Sequence, residues 1–326
     1  MKRIILLILL LAAFILSLSA GKIWISPAHW FAGGADGWIM AELRLPRAIL
    51  GAAIGAVLGL SGAVLQGCLR NPLADPTVVG VSSSAAFGGV AAIFFGLAAW
   101  PYGIFICAMI GAGGAAALLA IMAGRGSGPL GFLLGGMVLS TLAGSLTAFL
   151  ISISANPYAT SEIVSWLMGA LTDRSMDDVW RATPFMLVGA LLLLITGRSL
   201  DALTLGEMGA RSIGADLHRL RWMVIAGVAF TVGAAVAVSG VVGFVGLIVP
   251  HVMRYWFGER PSAILLPSAV GGAILTMTAD ALVRLAPGAG EIRLGIVMAV
   301  LGTPFFLAIL LRQRAAHSIG GGFRDV

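Results

Sequence analysis

The sequence predicts an all-α, polytopic membrane protein with about ten transmembrane helices, folded as one domain over residues 1–326. Hydrophobic residues make up 59% of the chain and charged residues only 10%, whereas a soluble domain carries roughly 25% charged residues. The apolar residues fall in runs close to the roughly 20 that a helix needs to cross a hydrocarbon core about 30 Å thick. Alternating ten-residue strand patterns are absent, so helices rather than a closed barrel must satisfy the backbone in lipid.

Polar breaks divide the chain into ten predicted spans. They are 4–20, 47–68, 78–97, 102–123, 132–154, 182–198, 221–239, 242–257, 262–284 and 292–311. The first could instead be a signal peptide, because Lys2 and Arg3 precede its apolar run, but no Ala-x-Ala-like cleavage site is obvious and we interpret it as a retained helix. The eighth contains Pro250 and three glycines between 240 and 246, which could bend or interrupt it.

The distribution of basic residues predicts the orientation. With both termini in the cytoplasm, 13 of the 20 lysines and arginines lie inside and 7 outside, and basic residues favour the cytoplasmic side. The long polar loop 200–221 then faces the cytoplasm. The net charge of +6 follows from this bias, and we predict no nucleic-acid partner.

The chain shows no motor of its own. Its two lysines, Lys2 and Lys22, lie outside any glycine-rich loop, which excludes a Walker A nucleotide site. Ion-coupled transporters usually place carboxylates in mid-membrane, and we expect none there. The acids at predicted span ends or in loops are Asp75, Asp201, Glu207, Asp216, Glu259, Asp280 and Glu291. An ion-coupled transporter is therefore disfavoured, and energy should arrive from another subunit through loop 200–221.

Other chemistry-bearing residues give weaker signals. Cys68 and Cys107 lie within or at the edge of spans, and we expect two free, buried thiols. The four histidines lack metal-site spacing; His251 could satisfy backbone groups freed by Pro250, with a haem or metal ligand as the alternative. Ser61, in Gly-Leu-Ser-Gly, could pair with His251 as in an intramembrane protease, but small residues here also suit helix packing. We predict no catalytic residue, cofactor or metal.

Several blocks of sequence carry a family resemblance. They are Arg44-Leu-Pro-Arg47, Gly62–Gln66, Asn71–Pro76, Leu205–Gly214, Gly243–Arg254, Ala279-Asp280 with Arg284, and Gly302–Phe306. In this order, over about residues 44 to 312, they resemble the permeases of type II ABC importers for iron–siderophore, haem and cobalamin, the FecCD-type family. The resemblance implies an inner-membrane permease that works as a homodimer, or as a dimer with a closely related permease. Its other implied partners are two ABC ATPase subunits and a periplasmic substrate-binding protein. Iron–siderophore complexes are the first expectation for the cargo, with haem or cobalamin as alternatives.

The resemblance also implies that loop 200–221 docks the ATPase. The coupling residues expected from it are Leu205, Gly206, Glu207, Met208, Ala210, Arg211, Ser212 and Gly214. We expect two short helices hinged near Gly214. Apolar Leu205, Met208, Ile213 and Leu217 would fill a groove of the partner, with Glu207, Arg211 and Arg219 at the rim. An ordinary amphipathic interfacial loop is the alternative.

At the opposite membrane surface, the resemblance implies that Arg44, Arg47 and Arg284 receive acidic residues of the binding protein. Snorkelling to headgroups, or local pairing with Glu42 and Asp280, is the alternative. Arg293 departs from the family, which usually has proline between the acidic residue and Gly295.

The last implied sites concern the path of the cargo. Asn71 and Leu73 match an inner gate, although a simple turn with Asn71 ending the helix is also open and compatible. Gln66, Ser140 and Ser145, on the second and fifth spans, are the expected lining residues.

Overall fold

The structure, a computed structural model, describes residues 1–30, 34–77, 79–122, 129–286 and 292–320. Within these ranges the regular structure is helical, which confirms the all-α prediction. The helices are α1 Lys2–Ser19, α2 Ala35–Trp38, α3 Leu45–Leu69, α4 Val81–Phe94, α5 Gly103–Met122, α6 Pro129–Ile153, α7 Pro157–Leu167, α8 Met176–Ile195, α9 Gly197–Leu203, α10 Gly206–Ser212, α11 Leu217–Ser239, α12 Val245–Phe257, α13 Pro261–Leu285 and α14 Leu294–Gly320. A π-helical stretch, Ile39–Arg44, joins α2 to α3.

Each of the ten predicted spans falls on one of these helices. Within the described residues, seven helical segments are long and apolar enough to cross a membrane, and α4 and the Leu294–Ile309 part of α14 are shorter apolar helices. The largest difference lies in 155–181, expected as one loop. It contains α7 and the first turn of α8, because Asn156 caps α7 by accepting from Tyr158 N at 3.0 Å and Ser175 forms a capping box with Asp178.

The eighth span is one continuous helix that begins later than predicted. Residues Gly240 and Phe244 have φ near +68°, and the chain between them is not helical. Helix α12 therefore begins only at Val245 and has 13 residues, about 20 Å, which is too short to cross the hydrocarbon core. Its first turn lies against the middle of α3, where a Cβ on Gly62 would overlap the Gly246 carbonyl.

Glycine contacts hold the centre of the bundle together. A Cβ on Gly55 would overlap the Gly272 carbonyl oxygen, and one on Gly59 would overlap that of Ser268. Helices α3 and α13 thus touch backbone to backbone, the packing that small residues permit where lipid removes the hydrophobic drive between helices.

Distant contacts show which helix ends share a side. Lys2 Nζ donates to Trp256 O at 2.6 Å, which places the start of α1 beside the end of α12. Arg284 Nη1 donates to Ala20 O at 2.9 Å, which places the ends of α1 and α13 together on the other side. We call the first side the coupling end and the second the outer end. The coupling end carries residues 70–77, α9 and α10; the outer end carries α7, 168–175 and 292–293.

Candidate coupling segment, gate and docking residues

The predicted coupling segment forms two short helices, α9 and α10, at the coupling end. They meet at Thr204–Leu205, where Gly206 takes a φ of +86° that only glycine adopts readily. We expected the hinge between the two short helices near Gly214, whereas the turn between α9 and α10 lies just before Gly206. Gly214 also has a φ of +86°, but it follows α10 and turns the chain into the long α11, which Asp216 caps through Arg219 N at 2.9 Å.

Helix α10 presents an apolar surface that the protein itself leaves open. Met208 is 88% exposed, Leu205 65% and Ile213 62%, whereas Ala210 is fully buried beneath the helix. Leu217, expected with the exposed group, is instead 5% exposed and belongs to the core. Three large apolar side chains thus project from one short segment at the coupling end.

Glu207 fixes α10 to the bundle rather than lying free at its rim. Its carboxylate accepts from Arg221 Nη2 at 2.8 Å and lies 3.7 Å from Arg211 Nη2. Arg221 is on α11, so this ion pair joins the coupling helix to a transmembrane helix. Arg211 is mostly exposed.

Helix α9 is tied to α13 by Asp201. Its carboxylate accepts from Ser262 N at 2.8 Å, Ser262 Oγ at 2.6 Å and Arg260 Nε at 2.7 Å, so Asp201 caps the first turn of α13 from another helix. Burial opposes ionisation of this carboxyl, but the bonds from Ser262 and Arg260 outweigh it, and the pKa of Asp201 is lowered.

The predicted gate residues lie in the segment 70–77, which we call the gate loop, and this loop begins with a turn built on Asn71. Helix α3 ends at Arg70 in the left-handed region (φ +48°), so Arg70 and not Asn71 ends the helix. Asn71 Oδ1 accepts from Leu73 N at 2.9 Å, an Asx turn. Asp75 is buried and accepts from Thr77 N at 2.9 Å and Thr77 Oγ1 at 2.6 Å. A gating role for Asn71 and Leu73 is compatible with this turn and stays a prediction.

A cavity of about 410 Å³ lies between the gate loop and the coupling segment. Arg70 and Asn71 line it from the loop, Thr204 from the coupling segment, and Gln66 and Arg254 from α3 and α12. The same space therefore borders the segment expected to meet the ATPase and the loop expected to gate the path.

The three predicted path residues occupy different environments. Gln66 is 2% exposed; its Nε2 donates to Gly246 O at 3.0 Å and its Oε1 accepts from Arg254 Nη1 at 2.6 Å. Ser140 Oγ donates to Thr77 O at 3.2 Å, which ties α6 to the gate loop. Ser145 lies exposed on α6. The structure thus brings Gln66 and Ser140 to the gate region and leaves Ser145 outside it.

Sequence reasoning assigned no role to Arg254, which holds this region together. Arg254 faces Gln66 on one side and Glu259, at 3.9 Å, on the other. The sequence signal for it was an arginine inside an apolar run, where a charged side chain is costly unless a polar side chain pairs with it. The partner, Gln66, is too distant in sequence for local patterns to identify.

The predicted docking arginines are buried and already bonded. Arg47 donates from Nε and Nη2 to Asp280, at 3.0 Å and 2.9 Å, and Arg284 Nε lies 3.2 Å from the same carboxylate. Asp280 is 1% exposed and the arginines 6–8%. The alternative of local pairing with Asp280 is thus what the structure contains, and Glu42 takes no part among the described contacts.

Arg44 and Arg284 also cap the end of α1. Arg44 Nη1 donates to Leu18 O at 2.9 Å and Ser19 O at 2.7 Å, and Arg284 Nη2 donates to Ser17 O at 2.8 Å. Guanidinium groups satisfy the last carbonyls of a helix and oppose its dipole. In this arrangement neither side chain is presented to a partner, and the docking role remains a prediction without geometric support.

The remaining sequence signals resolve simply. Ser61 Oγ lies 2.9 Å from Thr231 Oγ1, while the His251 ring packs edge-on against Phe305, so no Ser61–His251 pair forms. Cys68 is buried and Cys107 partly buried, and both thiols are free, as predicted. Across the described ranges, no group of three or more His, Cys, Asp or Glu side chains could hold a metal.

Comparisons with known proteins decide the family. The FecCD transport family matches residues 9–312. The chain belongs to the FecCD transport family. It is 38% identical over 311 residues to the vitamin B12 import system permease protein BtuC of Vibrio cholerae, covering 94% of this chain and 92% of BtuC. It is 40% identical over 283 residues to the cobalamin import system permease protein BtuC of Halobacterium salinarum, covering 86% of this chain and 75% of that protein.

A solved structure supports the same assignment. A metal-chelate type ABC transporter in an inward-facing conformation superposes with a TM-score of 0.87 and 32% identity, over 96% of this chain and 100% of that one. This FecCD-family protein is therefore the permease subunit of an ABC importer, of the metal-chelate or cobalamin type, in the inner membrane. It is not an enzyme, and ATP is hydrolysed on a separate subunit.

Proposed function

We propose that the permease imports cobalamin, and not the iron–siderophore complex expected from sequence. The supporting observation is that relatives covering most of the chain, in a bacterium and in an archaeon, are cobalamin permeases at 38% and 40% identity. We further propose a homodimer with two ATPase subunits and a periplasmic binding protein. The coupling end and both termini then face the cytoplasm, as the basic residues predict.

The coupling mechanism follows from the contacts of α9 and α10. Leu205, Met208 and Ile213 would sit in an apolar groove of the ATPase, so closure of the ATPase dimer moves α10. The Glu207–Arg221 ion pair passes this movement to α11. Asp201 passes movement of α9 to α13.

A second connection leads to the gate. Arg70 ends α3 at the gate loop, and a Cβ on Gly206 would come within 3.9 Å of Arg70 Nη1. Displacement of α10 thus reaches Asn71 and Leu73 across the 410 Å³ cavity. In the proposed dimer, these two residues close the path against their counterparts.

The cargo assignment is tested by uptake into vesicles that contain the permease, its ATPase and its binding protein. Labelled cobalamin should accumulate only when ATP is enclosed in the vesicles, on the side that corresponds to the cytoplasm. Excess unlabelled cobalamin should abolish the signal. A tenfold excess of a ferric hydroxamate chelate should leave it unchanged. Competition by the ferric chelate and not by cobalamin would return the assignment to iron–siderophore complexes.

A further inference from the structure

A polar cavity of about 220 Å³ lies at the outer end. It is lined by Ser165 and Trp166 of α7, by Arg174, and by Arg293 from the segment before α14. Ser165 and Arg293 also line a larger recess, of about 770 Å³, along α7. We call the smaller space the outer cavity; Arg293 stands at the boundary of the two.

Backbone contacts hold the base of the outer cavity rigid. Gly295 N donates to Gly169 O at 3.2 Å, and Ala170 N donates to Ser239 O at 2.8 Å. A Cβ on Gly295 would overlap the Met168 carbonyl oxygen. The segments that carry Arg174 and Arg293 are thereby fixed to each other and to the end of α11, so the two guanidinium groups face a preformed space.

The two arginines that line the outer cavity differ in their hydrogen bonds. Arg293 Nη2 donates to Ser165 Oγ. Arg174 Nε is buried with no hydrogen-bond partner, and burial lowers the pKa of this guanidinium. Glu162 and Asp173 also line the cavity, but both are exposed. Asp178 and Asp173 act on Arg174 electrostatically without outweighing its burial, and among the described ion pairs none joins an acid to Arg174 or Arg293. A buried guanidinium donor left without an acceptor is costly, and an anion in the cavity would supply that acceptor.

We propose that the outer cavity binds an anionic group of the cargo, a phosphate or a carboxylate, through Arg293 and Arg174. The volume is below the 300 Å³ or more of pockets that enclose a whole ligand, so it takes one substituent while the bulk of the chelate occupies the adjoining recess. A guanidinium suits this task because its planar donors match both anions bidentately. This proposal rests on the proposed import function, and it makes Arg293 a residue that selects for charged cargo.

Binding of a model anion tests the site without any cargo. The probe is dimethyl phosphate, an anion, with neutral trimethyl phosphate as its shape-matched control, added to the permease–ATPase complex in nanodiscs. Saturation-transfer NMR should detect dimethyl phosphate on the wild type and several-fold less on Arg293→Gln. Arg293→Lys, which keeps the charge but not the bidentate donors, should give an intermediate signal. Equal signals from wild type and Arg293→Gln, or from the charged and neutral probes, would overturn the proposal. Elution of each variant as a single complex with the ATPase, at the position of the wild type, shows that it is folded.

Transport tests the role of the site and separates it from the cargo assignment. Uptake is compared for labelled cobalamin and for a corrinoid that lacks the phosphodiester. A lost charge-assisted hydrogen bond corresponds to roughly a tenfold slower uptake of cobalamin by Arg293→Gln at subsaturating cargo, with uptake of the phosphate-free corrinoid unchanged. Equal loss for both corrinoids would overturn the proposal and make Arg293 structural. If the wild type imports neither corrinoid, the cargo assignment fails, and the NMR comparison alone decides whether the anion site exists.

Discussion

The exposed apolar surface of α10 gives the sharpest test of coupling. Met208 is 88% exposed, so replacing it should cost little in folding, within about 0.5 kcal/mol for a surface position. Burying a methionine side chain at an interface is worth about 1.5–3 kcal/mol. Met208→Glu keeps helix propensity nearly constant and should therefore weaken ATPase binding by about 2 kcal/mol, or roughly thirtyfold in Kd.

The assay is the affinity of the detached ATPase subunit for the permease held in nanodiscs, measured by biolayer interferometry. Met208→Leu is the matched control, because it keeps an apolar side chain of similar size and should bind within about threefold of the wild type. Thermal unfolding of the two variants should be the same. If Met208→Glu binds the ATPase as tightly as Met208→Leu, the apolar face of α10 is not the docking surface, and the interfacial-loop alternative gains.

Three further outcomes follow from individual contacts. Arg47→Glu should lower the Tm of the permease alone, because it places a second carboxylate against that of Asp280. A folded variant with an unchanged Tm and weakened binding of the periplasmic partner would instead support the docking role. The pKa of Asp201 is lower in the folded protein than its ordinary value of about 3.9. The ionised carboxylate therefore stabilises the attachment of α9 fully above pH 3.9, and this stabilisation is lost as the pH falls through the folded pKa. Asp201→Asn should therefore lower the Tm at pH 7 and show a smaller further loss below pH 4 than the wild type; equal acid losses would contradict this. Leu73→Cys should crosslink across the proposed dimer in at least one nucleotide state, and failure in every state would end the gate assignment.

The sequence was sufficient for the membrane topology because each span is a local property. An apolar run of about 20 residues predicts a helix wherever it occurs, and all ten predicted runs fall on helices. The glycines before α12 were also a local signal for its late start, because Gly240 takes a backbone conformation open to few other residues. The Asn156-Pro157 start of α7 was equally local, and a stricter use of capping signals would have found it.

The electrostatic partners could not be predicted in the same way. Arg47 and Asp280 are separated by 233 positions, and an arginine at a span end looks the same whether it faces solvent or a buried carboxylate. Leu217 and Met208 show the same limit within one loop. Both are apolar residues of an amphipathic segment, but only the tertiary arrangement of α10 against α11 decides that one is buried and the other exposed.

The central claim is that this permease carries cobalamin only when a separate ATPase drives it. Its most direct test is uptake of labelled cobalamin by vesicles that contain the permease with or without the ATPase, in the presence of the binding protein and ATP. Accumulation should require both ATP and the ATPase and should be unaffected by collapse of the proton gradient. Accumulation by the permease alone, abolished by a protonophore, would contradict the account.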